Sequence, residues 1–332
     1  MYFVTGGTGL LGNAIVRRLS SEGETSAVLV RQPDPPDVFD DLDIEQVVGD
    51  LDDTDAMDAA IARSDGVFHS AGLIHIGFSR REESMRINRD GAAAVADLCL
   101  KYDKPMVHIG SVNATAIGTI DQPSNETMPF EANGGQVDSS YVASKKAGVD
   151  AVLERVDRGL RCVVIQPGFM LGPYDWKPSS GRMMVEVQKA WRPLCPSGGC
   201  SVCDVRDVAD GCVAAMRKLI SGEIPSGRQY NLAGHNWTYF RLWTEMARRG
   251  DRRGPLKPMG VVPKTIGRAI GGVRSMIGLP ENDINSAGIA MSSQYHWHDS
   301  QRAIDELGYR IRPAAETLDD AHRWITQHHA TS

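Results

Sequence analysis

The 332-residue sequence lacks any apolar run near the roughly 20 residues that a membrane-spanning helix requires. It also lacks a basic excess: the formal net charge is −6, which argues against a general nucleic-acid binder. No internal repeat or low-complexity tract interrupts it. No secretory leader stands before Met1-Tyr2-Phe3-Val4, which already reads as a strand. These absences set the expectation of a cytoplasmic protein. Cysteine is scarce, with six residues, of which Cys195, Cys200 and Cys203 share a C-x4-C-x2-C spacing with iron–sulfur ligands. They lead into Ser201-Val202-Cys203-Asp204-Val205, a strand-like run where cysteine serves as a small apolar residue, so free thiols are expected. His296-Trp297-His298 would set two imidazoles on one side of a strand, but no third ligand lies nearby and no metal site is assigned.

What is present is a regular alternation. Short apolar runs at 2–5, 27–30, 44–48, 66–69, 106–109 and 162–165 alternate with helical patterns at 10–22, 55–63, 88–102 and 141–156. Such alternation predicts an α/β fold, a Rossmann-type doubly wound parallel sheet with helices on both faces. Ligands then bind at the carboxyl ends of the strands. After Pro167-Gly168 the alternation breaks and Pro, Gly, Trp and Met become frequent. We therefore expect a dinucleotide-binding domain over 1–168, with returning segments about 201–235, and a smaller α/β C-terminal substrate lobe over 169–200 and 236–332.

The first run leads into Gly6-Gly7-Thr8-Gly9-Leu10-Leu11-Gly12, which contains G-x-G-x-x-G between a strand and a helix. Glycine permits the tight turn, and the amides of Gly6, Gly9, Leu10, Leu11 and Gly12 then approach a pyrophosphate at the helix N-terminus. The end of the second strand lacks the acidic residue that would bind an unphosphorylated ribose diol. Arg31 stands there instead, with Asp34 nearby, and a guanidinium suits a 2′-phosphate. NADP(H) is favoured and NAD(H) stays open. Asp50, followed by Leu51, ends the third strand and is expected either to accept from the adenine amino group or to serve the turn.

Tyr141 and Lys145 are four residues apart on a predicted helix, hence on one face. A cation at ~4 Å in an effective dielectric of ~20 favours the phenolate by roughly 4 kcal/mol before desolvation is subtracted. Lys145 is thus expected to bring the Tyr141 phenol toward the range of a general acid–base group.

With these residues in place the chain resembles the extended short-chain dehydrogenase/reductase family over nearly its whole length, nearest the dihydroflavonol-reductase and 3β-hydroxysteroid-dehydrogenase-like branch. Further landmarks are Val67-Phe68-His69-Ser70-Ala71-Gly72, Asn88-Arg89-Asp90-Gly91, Val107-His108-Ile109-Gly110-Ser111 and Gln166-Pro167-Gly168-Phe169-Met170-Leu171-Gly172-Pro173. The resemblance implies hydride transfer between a nicotinamide and a secondary alcohol or ketone. Tyr141 would exchange the proton, Lys145 would depress its pKa and bind the nicotinamide ribose, and Ser111 would hydrogen-bond the substrate oxygen. Asn88 would either hold a water in the proton path or make a helix-start backbone contact. Ser70, Ala71, Gly72, Pro167, Gly168 and Met170 would lie along the cofactor.

Two departures stand out: Gly110 replaces one of the family's hydroxyl residues, and Gln166 replaces its usual Arg. Asn113, two residues past Ser111, is the other candidate to face the substrate oxygen. Met170, Trp176, Met183, Met184, Trp191 and Tyr239 are candidates for a pocket taking a hydrophobic carbonyl or alcohol substrate. The segment 263–279 is expected to be a lid, with a membrane-surface helix as its alternative. A homodimer through the Tyr/Lys helix is consistent with the family. Two rival functions remain: a nucleotide-sugar epimerase or dehydratase with retained NAD, and a non-catalytic dinucleotide sensor. Val112 and Asn113 in place of an acidic pair speak against dehydration, and the intact Tyr/Lys pair speaks against the sensor.

Overall fold

The computed structural model describes residues 1–33, 38–260 and 285–329. Asp34 and the segment 263–279 lie outside them.

The alternating first half forms six parallel strands with their connecting helices, and a seventh strand comes from later in the chain. The strands β1 (Tyr2–Thr5), β2 (Ser26–Val30), β3 (Ile44–Val48), β4 (Gly66–His69), β5 (Met106–Ile109) and β6 (Cys162–Pro167) are joined at one edge by Gln229–Leu232. The order across the sheet is Gln229–Leu232, β6, β5, β4, β1, β2, β3. The direction of winding therefore reverses at β1, and the glycine turn sits at that switch point. Both faces of the inner strands are covered, which is why they are buried almost throughout and mostly apolar, whereas the edge strand β3 carries Glu45 and Gln46 and is partly exposed. Val4 packs with α1 (Leu10–Ser20) on one face. Phe3 packs on the other with Met57 and Ile61 of α2 (Thr54–Arg63) and Val95 of α4 (Gly91–Lys101).

The helix from 88 to 102 begins earlier than expected. It starts as α3 (Arg81–Met85), passes through a π-helical turn, Arg86–Asp90, and continues as α4. Asn88 thus lies inside a widened turn rather than at a helix start, a local irregularity often found at functional sites.

A second, four-stranded sheet combines β7 (Phe169–Leu171), β9 (Gly199–Asp204), β11 (His235–Thr238) and β13 (Tyr295–His296), around a fully buried β9. The short strands β8 (Leu194–Cys195) and β12 (Lys257–Pro258) pair separately, and Gln229–Leu232 is β10 in chain order. The run 201–204, expected to return to the first domain, therefore lies in the small sheet. What rejoins the large sheet is α7 (Val205–Ser221), packed on α1, and β10 beside β6. His296 and His298 are buried with separate partners: His296 Nε2 meets the Met291 carbonyl, and His298 Nδ1 lies 2.7 Å from Ser124 Oγ. All six cysteines are buried free thiols. Among the described residues no helix is long and apolar enough to cross a membrane.

The helix α5 (Ser140–Val156) carries the Tyr/Lys pair. Ser139 caps it, its hydroxyl accepting the Val142 N–H at 3.2 Å, and Tyr141, Lys145, Val149 and Val152 form its buried face. Replacing such a cap by alanine typically costs about 1 kcal/mol. Ser139→Ala should lower the urea midpoint accordingly at an unchanged slope; an unaltered midpoint would show that the cap contributes nothing.

Candidate active site

The turn after β1 is held against β4. Gly6 adopts a φ of +72°, and a Cβ there would lie 2.6 Å from the Ala71 nitrogen, so only glycine fits. Thr5 Oγ1 accepts the Ala71 N–H at 3.2 Å, and the Ser70 N–H reaches the Thr5 carbonyl at 3.2 Å. Ser70, Ala71 and Gly72 are thereby fixed beside the glycine turn. Gly9 caps α1 without any side-chain hydrogen bond, and a Cβ built on it meets only the Gly6 carbonyl oxygen, at 3.3 Å. The first-turn amides of Leu10 and Leu11 have no intrahelical acceptors. This cradle fits a dinucleotide phosphate in both shape and charge.

Arg31 follows β2 directly and is exposed. Asp50 takes the Leu51 N–H on Oδ1 at 2.6 Å, the turn role, and Leu51 is buried against Gly91. Gly168 lies close to the Ser201 carbonyl, 2.6 Å from where its Cβ would stand, so the step from Pro167 to β7 is a tight crossing between the two sheets. Met170, on β7, packs against the large core, as does Trp176.

At the carboxyl ends of β4 and β5 the catalytic candidates come together. Tyr141 and Ser111 are both buried, and the Ser111 hydroxyl is near enough to the phenol to act on its proton. Lys145, also buried, donates to the Ile109 carbonyl at 3.1 Å. A Cβ placed on Gly72 would lie 3.0 Å from Asn88 Oδ1 and 3.2 Å from Lys145 Nζ, which puts both groups beside that loop. Asn88 uses its amide as a clamp: Oδ1 accepts the Leu73 N–H at 2.7 Å, and Nδ2 donates to the Leu73 carbonyl and to Ser144 Oγ, each at 2.9 Å. The backbone contact expected of Asn88 is thus made to the loop after β4, not at a helix start.

The electrostatics differ from the expectation for an isolated pair. Burial pushes the Tyr141 phenol above its ordinary value, and the Ser111 hydroxyl pulls it back in part. Lys145 is not among the groups that depress it; burial is also what pushes Lys145 down, to about 8. Desolvation therefore outweighs the attraction estimated from spacing alone. The stacked imidazoles of His69 and His108, 5.4 Å apart, are held neutral by burial, with Lys145 adding to the effect.

Ser111, not Asn113, is the residue that meets Tyr141. Asn113 supports it: its backbone N–H and Nδ2 donate to Ser111 Oγ at 3.2 and 3.3 Å. The Ser111 N–H in turn donates to Gln166 Oε1 at 2.6 Å. Neither supporting role was read from the sequence; the joint departure at Gly110 and Gln166 was the available signal. Of the apolar pocket candidates, Met184 and Tyr239 belong instead to the core of the small sheet, because α6 (Gly181–Lys189) packs on α8 (Tyr239–Arg249). Met183 packs on that core, and Trp191 is exposed, its indole N–H donating to the Gly254 carbonyl at 3.2 Å.

The model of the NAD dependent epimerase/dehydratase family matches residues 2–233. A Synechocystis protein named as a dihydroflavonol 4-reductase is 27% identical, the match covering 98% of this chain and 95% of that protein. Ceramide reductase of Caulobacter vibrioides is 29% identical over 79% of this chain and 72% of its own. The crystal structure of gox2253 superposes with a TM-score of 0.85 at 26% identity, covering 100% of this chain and 99% of the other.

The displaced lysine titration has a readable consequence. An unfolded lysine titrates near 10.5, so between about pH 8 and 10.5 the unfolded chain binds the extra proton and stability from this group rises with pH. Below about pH 8 both states are protonated, and the cost of burying the charge is fully present. Lys145→Met removes this component: from pH 7 to pH 10 the parent should gain Tm relative to the variant. Parallel pH dependences would contradict the assignment.

Proposed function

The chain belongs to the NAD-dependent epimerase/dehydratase family, and from that premise we propose an NADP(H)-dependent oxidoreductase that reduces an apolar ketone or oxidises the matching secondary alcohol. The observation that carries this reading is the burial of Tyr141, Ser111 and Lys145 at the carboxyl end of β5, with Lys145 beside Gly72 in the loop that packs on the glycine turn. The nicotinamide, when bound, supplies or accepts the hydride. Gly9, Leu10 and Leu11 would hold its phosphates, with Gly6 and Gly12 shaping the turn, and Asp50 and Leu51 would lie at the adenine end. Ser70, Ala71, Gly72, Pro167, Gly168 and Met170 would flank the nicotinamide end.

Tyr141 Oη carries the proton that the substrate oxygen takes on reduction and returns on oxidation. Ser111 Oγ donates to the same oxygen and stabilises the charge developing there. Lys145 supplies positive charge next to the phenol and a donor for the ribose. Asn88 holds Leu73 and Ser144, and through them the floor of the site. Arg31, exposed after β2 where no carboxylate stands, supports the phosphorylated cofactor.

An apolar substrate is supported by the loop after Gly72, where Ile74, Ile76 and Phe78 are all exposed. The same loop is tied to the start of α5, Ser140 N–H donating to the Gly77 carbonyl at 2.7 Å and Ser140 Oγ to the Ser79 carbonyl at 2.6 Å. That ties the backbone of this apolar loop to the residue preceding Tyr141. The similar ceramide reductase is named for a lipid substrate, in keeping with this reading. The small sheet and its helices would form the substrate lobe, reached through the Pro167-Gly168 crossing. Val112 and Asn113 after Ser111 form a short helical turn with no carboxylate, which favours reduction over dehydration.

Tyr141→Phe should lower kcat for any ketone the parent reduces by about 10²-fold or more, with the Kd for NADPH little changed. Near-parent turnover in that variant would refute the mechanism. Arg31→Glu should weaken NADPH binding while sparing NADH; an unchanged NADPH-to-NADH ratio would remove the basis for NADP preference.

A further inference from the structure

The serine that meets Tyr141 sits where the sheet ends. The β5–β6 ladder closes on the pair Ile109 and Ile165, with the Gly110 N–H donating to the Ile165 carbonyl at 2.8 Å. The chain then turns away, so the Ser111 N–H, one residue further on, has no strand partner. A buried amide left without an acceptor is costly. Gln166 supplies the acceptor: its Oε1 reaches the Ser111 nitrogen at 2.6 Å, while its Nε2 donates to Gln229 Oε1 on β10 at 3.3 Å. Gln166 is fully buried, so its carboxamide has little freedom to reorient.

The residue between strand and serine makes this contact possible. A Cβ built on Gly110 would collide with Gln166 Oε1 and lie 3.0 Å from its Cδ and 3.1 Å from Val149 Cγ2. Any other residue at 110 would drive the carboxamide off the Ser111 amide. The two positions that set this sequence apart, Gly110 and Gln166, are therefore a single device.

We infer that Gln166 is the positioning residue for Ser111: its carboxamide, admitted by the bare Cα of Gly110, fixes the Ser111 peptide and so aims the Ser111 hydroxyl at Tyr141 and the substrate oxygen. The inference rests on the roles given to Ser111 and Tyr141 above. Ser111 stays extended, at φ −170° and ψ 149°, while its Oγ accepts from the Asn113 backbone N–H and Nδ2. With the peptide and the hydroxyl both held, the serine is pinned before a substrate arrives.

Three variants separate positioning from packing. Gln166→Met keeps the volume and loses both hydrogen bonds; Gln166→Glu keeps an acceptor for the Ser111 amide; Gln229→Met removes only the outer partner. The first readout is the Ser111 amide proton, observed with serine-selective ¹⁵N labelling. It should move upfield in Gln166→Met and stay near its parent position in Gln166→Glu and Gln229→Met. The second is turnover of a ketone that the parent reduces. Gln166→Met should lower kcat by about 10²-fold, the scale of an ångström-size misplacement, with KM for NADPH unmoved, and Gln166→Glu should recover most of the loss. The kinetic pH limb belonging to Tyr141 should rise in Gln166→Met as it does in Ser111→Ala, because the serine that lowers the phenol is loosened.

Unchanged kcat and an unmoved Ser111 amide in Gln166→Met would overturn the inference, as would equal losses in the Met and Glu variants, which mean packing alone. Turnover surviving Tyr141→Phe would instead strike the catalytic reading. The amide readout needs no turnover and stands apart from that result.

Discussion

A phenol and an ammonium buried side by side pay a desolvation penalty that a solvated helix pair would escape. The structure answers it with polar neighbours rather than with mutual attraction: the Ser111 hydroxyl, which lowers the phenol, for Tyr141, and the Ile109 carbonyl for Lys145. Both partners come from the carboxyl end of β5, so the sheet terminus and α5 must meet in one register for either charge state to be tolerated. The Ser139 cap, the Asn88 clamp and the Gln166 carboxamide each fix one side of that meeting. Most of the site's remaining geometry follows from keeping those two polar groups satisfied while apolar neighbours exclude water.

Burial also sets the chemistry. A phenol raised by desolvation keeps its proton and suits donation to a carbonyl oxygen, while a lysine lowered to about 8 sits near the pH at which it can exchange one. Bringing a carbonyl carbon and hydride donor to this place requires a cradle at the neighbouring strand end. The Gly6 turn, locked to Ala71 through Thr5, provides it at the reversal of strand order. The small sheet meets the large one at the Gly168 crossing, where backbone approaches backbone and leaves no room for a side chain.

Much of this was legible in the sequence, for physical reasons. Inner strands buried on both faces are mostly apolar, so β1, β4 and β5 were placed with their correct limits, as was the edge strand β3 from its Ile44, Val47 and Val48; the glycine turn and Tyr/Lys helix fell where their patterns indicated. Three things were not. The π-helical turn around Asn88 leaves no mark on hydrophobic period, so the helix was begun too late. The sheet to which 199–204 belongs depends on pairing with β7 and β11, which local pattern does not encode. And the sign of the Tyr141 shift depends on burial that spacing along a helix cannot reveal. Met184 and Tyr239 show the same limit: an apolar residue looks alike whether it lines a pocket or fills a core.

The central claim is that this site exchanges hydride with an external substrate using a nicotinamide that comes and goes. The most direct test is to denature the purified protein, identify and quantify any released nucleotide, and titrate the native protein with NADPH. Little retained nucleotide and saturable, micromolar NADPH binding are expected. One tightly held NAD per chain, with no exchange for NADPH, would contradict it.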